Sequence, residues 1–126
     1  MIDINKQIAY WQDGAKEDWE IAHHLIERGN TRHGLFFAHL ALEKVLKAHV
    51  CRHTGDLAPR IHNLVRLAEL AALTTDQAQI DFLADMNKFN VEGRYLELLP
   101  LPPKQAVAQQ YLTRAEEMFQ WLMNQL

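Results

Sequence analysis

Leu35 to His53 reads LFFAHLALEKVLKAHVCRH, and the reading of this stretch decides the fold. As a helix it carries apolar residues on nearly every side, so it must be covered on more than one face. That places it at the centre of a helical bundle or at an interface between two chains. Glu43, Lys44 and Lys47 interrupt the apolar surface. A buried charge costs several kcal/mol unless it is paired or meets a ligand, so these three are the most informative polar residues of the chain.

Working outward, Thr31 can cap this helix, and Gly29-Asn30 ends the one before it. From Asn5 to Arg28 the residues Ile8, Trp11, Ala15, Trp19, Ala22, Leu25 and Ile26 recur at intervals of three and four, the stripe of an amphipathic helix. On the other side, Thr54-Gly55-Asp56 is a stop signal and Pro59 stiffens a short loop. A brief helix is expected from His62 to Ala71. A further segment starts at Thr74 or Thr75, puts Ile80, Leu83, Ala84, Asn87 and Val91 on one side, and runs to Tyr95. Leu99-Pro100-Leu101-Pro102-Pro103 then breaks the chain. The last helix, Lys104 to Asn124, carries Val107, Tyr111, Leu112, Ala115, Met118, Phe119 and Leu122 on its apolar face. No alternating strand pattern and no internal repeat occurs. The expected fold is all-α, an up-and-down four-helix bundle with one additional short helix, forming a single domain over residues 1–126.

Composition narrows the function classes. With 48% hydrophobic and 23% charged residues the chain is globular in character, and 126 residues suit one core. A net charge of −3 excludes a generally basic surface, so any nucleic acid must meet a local patch. The single cysteine, Cys51, offers neither a disulfide nor a zinc-finger set and reads as a small buried hydrophobe. There is no run of about 20 apolar residues to span a bilayer and no basic start followed by an apolar core, so a cytoplasmic location and no membrane contact are expected.

Glu43 and Lys47 are four apart in the order that favours an intrahelical ion pair; the alternative is that Lys44 and Lys47 face a phosphate pocket. His62-Asn63 opens the short helix, where exposed amides favour anions, although Asn63 is also an ordinary cap. Arg94-Tyr95 can lay a guanidinium and an aromatic face against a phosphate or base, or Arg94 can pair with Glu43 or Glu92. His49 and His53 share a helix face, but no glutamate sits between them in an HExxH pattern, and neither a metal nor a cofactor is expected. No P-loop, GxGxxG, GxSxG or repeated CxxC is present.

Together these residues resemble the HEPN family, named for nucleotide binding in higher eukaryotes and prokaryotes. The resemblance runs through Trp11, Ala15, Asp18, Ala22 and Gly29, and through Phe37 to Ala48, which is similar to the family's AxExxLKA core. Pro59-Arg60-Ile61-His62-Asn63-Leu64 is similar to its P-x-x-H-[DN]-L turn, and Arg94-Tyr95 to its arginine-tyrosine-proline segment. The resemblance implies a four- or five-helix bundle, a dimer, and a neighbouring minimal nucleotidyltransferase. Many members are ribonuclease toxins with an arginine followed, after four to six residues, by a histidine. Here no histidine follows Arg94, and Leu96 replaces the proline. Arg28 to His33 and Arg32 to His39 satisfy the spacing, but with seven arginines and seven histidines about one such match is expected by chance.

The sequence therefore points to a nucleotide- or polyphosphate-binding module using Lys44, Lys47, His62 and Arg94, with Glu43, Asn63 and Tyr95 in support. It is expected to be a homodimer, because the second helix has more apolar surface than a minimal bundle covers, and to pair with a nucleotidyltransferase as toxin–antitoxin systems do. One alternative is a metal-independent ribonuclease acting on RNA, with His62 or His33 as base and Arg94 or Arg28 stabilising the phosphorane charge. The other is a structural dimerisation module whose polar cluster only fixes packing.

Overall fold

The structure, a computed structural model, describes residues 2–94, with the backbone only for 92–94, and residues 101–126. The helices are α1 (Ile4–Glu27), α2 (Thr31–Thr54), α3 (Leu64–Leu70), α4 (Gln77–Met86), α5 (Lys88–Arg94) and α6 (Gln105–Asn124). Among the described residues there is no strand, and the all-α bundle with short α3 is the expected fold.

Local chemistry sets most of the ends. Asp3 caps α1 by accepting from the Lys6 amide at 3.1 Å. Gly55 closes α2 in the left-handed conformation at φ 67°, where a side chain would be strained. Asp76 and Gln79 form a capping box at α4, so Asp76 takes the role expected of Thr74 or Thr75. Thr31 is not a cap either. It is the first residue of α2, behind Asn30, and its hydroxyl donates to the Pro103 carbonyl at 2.6 Å, tying the start of α2 to the segment ahead of α6.

Two apolar faces differ in part from expectation. On α6, Leu112, Ala115, Met118, Phe119 and Leu122 are buried as expected, but near its start Ala108 is buried while Val107 is exposed. The segment after α3 is divided at Asn87 and buries Phe82, Leu83, Met86 and Phe89, leaving Ala84 and Val91 outside. At the division the backbone stays right-handed and tightens, with the Asn87 amide donating to the Ala84 carbonyl at 3.3 Å. The Asn87 side chain accepts from the Leu64 amide at 2.9 Å and donates to Asn63 at 3.1 Å, so it joins the α4–α5 junction to the start of α3.

Helix α2 lies at the centre. Leu35, Ala38, Ala41, Leu42, Val45, Leu46 and Ala48 are completely buried, covered by α1, α3, α5 and α6. The chain thus covers this surface itself, and α2 does not by its own exposure call for a second chain. Trp19 of α1 stacks on Phe119 of α6 with centroids 4.9 Å apart, closing the bundle across α2.

The α1–α2 crossing depends on Gly34. A Cβ built there would stand 2.3 Å from Cγ1 of Ile26 and 3.2 Å from the Ile26 backbone nitrogen, and Ile26 is itself fully buried. Alanine is the better helix former by about 1 kcal/mol. Overpacking costs about 1–3 kcal/mol, so here sterics win. Gly34→Ala is expected to lower the melting temperature by several degrees in thermal denaturation followed by circular dichroism; an unchanged or raised midpoint would refute the close crossing.

Candidate functional site

Glu43, near the middle of α2, is 4% exposed and is held from two directions. Lys47 Nζ, one turn on, donates to Oε2 at 3.1 Å, and His62 Nδ1, from the loop before α3, lies 3.0 Å from Oε1. A carboxylate only accepts, so Nδ1 of His62 carries the proton, which turns Nε2 away from Glu43. The His62 side chain is 49% exposed, so the network starts in the core and ends at the surface. Lys47 is 5% exposed, and its ammonium sits 5.1 Å from the centre of the Trp11 ring on α1. The intrahelical pair is therefore present and buried, and Lys47 is spent on Glu43.

His39 occupies the same face of α2, one turn before Glu43, with Nδ1 at 3.9 Å from Oε1. It is completely buried, and neither ring nitrogen makes a hydrogen bond of good geometry. Burial pulls its pKa from 6.5 down to about 4, against the opposing pull of Glu43 and the nearby Asn87 side chain, so the ring is neutral in the folded protein. The sequence offered one hint of this role, the i,i+4 spacing to Glu43.

Lys44, three residues before Lys47, also faces α1 but meets a different acid. Its Nζ lies 2.7 Å from Asp18 Oδ2 and its stem runs over Gly14, where an added Cβ would stand 3.2 Å from Cδ. The Lys44 side chain is 30% exposed and borders a groove of about 250 Å³ with Tyr10, Trp11, Asp13 and Glu17. The carboxylates of Asp13 and Glu17 oppose an anion in that groove. Lys44 and Lys47 thus do not converge on one pocket; each faces its own acid. Asp18 lies on the buried side of α1, amid residues whose spacing marks them apolar, and that break in the stripe was its signal.

Asn63 proves to be the cap of α3, accepting from the Arg66 amide at 3.2 Å. The helix begins at Leu64, so His62 precedes it, and its imidazole is oriented by Glu43 rather than by the helix end. Arg94 closes α5, which packs on α2. Its side chain, like Tyr95, lies outside the described residues. Of the two chance arginine–histidine pairs, only His39 reaches this network. His33 is exposed in the first turn of α2, about 15 Å along the axis from Glu43 at 1.5 Å per residue. His39, partner of Arg32, has no exposed surface.

Elsewhere, His49 Nε2 lies 2.8 Å from the Leu122 carbonyl, which ties α2 to the end of α6, and burial lowers its pKa. Cys51 is buried and burial pushes its thiol up, away from reactivity. Among the described residues no group of three or more His, Cys, Asp or Glu side chains could hold a metal ion, and no helix is long and apolar enough to cross a membrane.

The neutral His39 has a consequence for stability. Below about pH 6.5 the unfolded chain takes up a proton that the folded chain refuses until about pH 4, so stability is full above that window and is lost as pH falls through it. His49 acts in the same direction. Replacement of His39 by a residue that does not titrate, His39→Gln, is expected to flatten the fall in melting temperature between about pH 7 and about pH 5. An equally steep fall in the variant would show that His39 is not the group responsible.

Comparisons with known proteins agree with this architecture. A model of the HEPN domain matches residues 8–126. No functionally curated protein matches the sequence. Among solved structures, the crystal structure of TT1696 from Thermus thermophilus is similar with a TM-score of 0.77 at 19% identity, covering 95% of this chain and 98% of that one. The crystal structure of ST0689, an archaeal HEPN homologue, is similar with a TM-score of 0.71 at 20% identity, covering 94% and 96%. At these identities the two structures speak for the fold, whereas the domain match extends over nearly the whole sequence, including the residues around Glu43 and His62. On that match, the chain belongs to the HEPN domain family.

Proposed function

We propose that this chain is a nucleotide- or polyphosphate-binding module that works in the cytoplasm as a homodimer, paired with a minimal nucleotidyltransferase in a toxin–antitoxin-like system. The observation that carries the reading is the Glu43 network. A buried carboxylate orients a half-exposed imidazole, and α5, which carries Arg94, packs against the same helix. A phosphate group meets His62 and Arg94 directly, while Lys44, paired with Asp18 beside Asp13 and Glu17, stays outside the contact. Glu43 and Lys47 act from behind by holding His62, while Asn63 and Tyr95 support the surface around it.

Saturating ATP or GTP is expected to raise the melting temperature, because a ligand that binds only the folded state stabilises it by about 2.7 kcal/mol at a hundred times its dissociation constant. A His62→Ala/Arg94→Ala double variant is expected to stay folded and lose that response. Lys47→Met has a different signature: it leaves Glu43 buried without its strongest partner, so the midpoint drops even without ligand. No shift in the parent protein at millimolar nucleotide would refute the phosphate reading.

One observation favours a second reading, a metal-independent ribonuclease. With Nδ1 held by Glu43, Nε2 of His62 is left as the acceptor nitrogen, which is the form a general base for a ribose hydroxyl needs. The binding reading predicts no cleavage of a mixed RNA pool by the purified protein. One positioned base contributes about 10²–10⁴-fold, so cleavage that collapses in His62→Ala or Arg94→Ala would establish the enzyme instead. Trace cleavage equal in the parent and both variants would identify a contaminant.

A further inference from the structure

On the face of the bundle where α4 meets α6, Ala78, Gln79, Phe82, Arg114, Glu117, Met118 and Trp121 border a groove of about 330 Å³. Its two charged residues do not pair with each other. Arg114 and Glu117 are three apart on one helix and in the same order as Arg66 and Glu69, which pair at 3.1 Å. That spacing normally brings opposite charges together. Here it does not. Arg114 turns from Glu117 and lies over the Phe82 ring, with its guanidinium carbon 4.6 Å from the centroid. Among the described residues neither makes a hydrogen bond or a direct ion-pair contact, although the Arg114 guanidinium lies close enough to Asp85 to help hold its carboxyl below the ordinary range. Asp85 on α4 is not available to Arg114 as a dedicated partner, being engaged by Tyr111 at 2.6 Å and by Lys88 at 3.1 Å.

The groove therefore presents a cation and an anion side by side, separated from each other, above an apolar wall of Phe82, Met118 and Trp121. We propose that it is a binding site for a small zwitterion with a flat apolar body, namely a free aromatic α-amino acid. The carboxylate takes the two-pronged hydrogen bond that a guanidinium offers, the ammonium pairs with Glu117, and the ring lies against Phe82 and Trp121. A ligand with only one charge leaves either Arg114 or Glu117 unanswered. Gln79 adds a donor, since its Oε1 is committed to the Asp76 amide while its amide nitrogen is not. The volume sits at the lower end of small-molecule sites, which suits one side chain and its backbone atoms. This site is on a different face from the Glu43 network and shares no residue with it.

The test is a titration of the full chain with L-phenylalanine, followed by amide chemical shifts. Saturable shifts confined to the α4 and α6 residues of the groove are expected at millimolar ligand. L-Phenylalaninamide, which lacks the carboxylate, and N-acetyl-L-phenylalanine, which lacks the ammonium, should each bind at least about tenfold more weakly, a difference of about 1.4 kcal/mol. Arg114→Gln and Glu117→Gln should each weaken L-phenylalanine to the same degree. Both side chains are exposed, and the interactions lost are the Arg114 contact with the Phe82 ring and its attraction to Asp85, so both variants are expected to stay folded at the temperature of the titration. Absence of saturable shifts with L-phenylalanine would overturn the proposal. So would equal binding of the amide and the acetylated form, or equal binding by both variants, at the strength of the parent pair.

Discussion

One buried carboxylate constrains the rest of this structure. Glu43 sits in the middle of the most deeply covered helix, where an unpaired charge would cost several kcal/mol. The compensation comes from three parts of the chain. Lys47 is supplied by α2 itself, His62 by the loop ahead of α3, and the Trp11 ring of α1 lies against the Lys47 ammonium. The loop between α2 and α3 therefore has little freedom, because moving His62 would uncover one oxygen of Glu43. The constraint passes onward from there. Asn63, next to His62, caps α3 and accepts from Asn87, whose own side chain holds the Leu64 amide. The α4–α5 junction is in this way registered against α3 by two short amide side chains.

The same arrangement links stability to chemistry. A network made only to neutralise Glu43 could end in the core, but this one ends on an imidazole that is half exposed. Holding one nitrogen of that ring leaves the other with a defined tautomer at the surface, which is what either phosphate recognition or proton transfer requires. Lysines that look like ligands in the linear sequence are redistributed by the fold. Lys47 supports Glu43 from within, and Lys44 is matched to Asp18 beside further carboxylates of α1. The buried charges of this bundle are thus answered locally, whereas, among the described residues, many of the exposed ones face solvent without an ion pair.

Much of the architecture was legible in the residues. The all-round apolar character of Leu35 to Val50 placed α2 at the centre, and the three-and-four spacing of Ile8, Ala15, Trp19, Ala22 and Ile26 defined the face of α1. The Glu43–Lys47 pair was one of two readings that the spacing allowed, and a cap one of two that the Asn63 side chain allowed. These features depend on contacts within a turn or two of helix, where geometry is the same in every protein. Element starts were less legible: Thr75 and Asp76 are both competent caps, and Gln79, three residues after Asp76, completes the capping box that separates them.

What only the tertiary structure decided is how distant segments share their polar groups. The sequence determined an all-helical chain with a charged interruption in its most apolar helix, since periodicity and burial cost are local properties. It did not determine that His62 would reach Glu43 across nineteen positions, that Thr31 would bind the Pro103 carbonyl, or that His39 would be sealed in without a well-formed hydrogen bond. Each of these depends on the crossing of helices, and the closest crossing rests on Gly34, where the absence of a side chain lets Ile26 of α1 approach. A sequence pattern records which residues are apolar, whereas the angle and depth at which two helices meet decide which polar atoms come within hydrogen-bond distance.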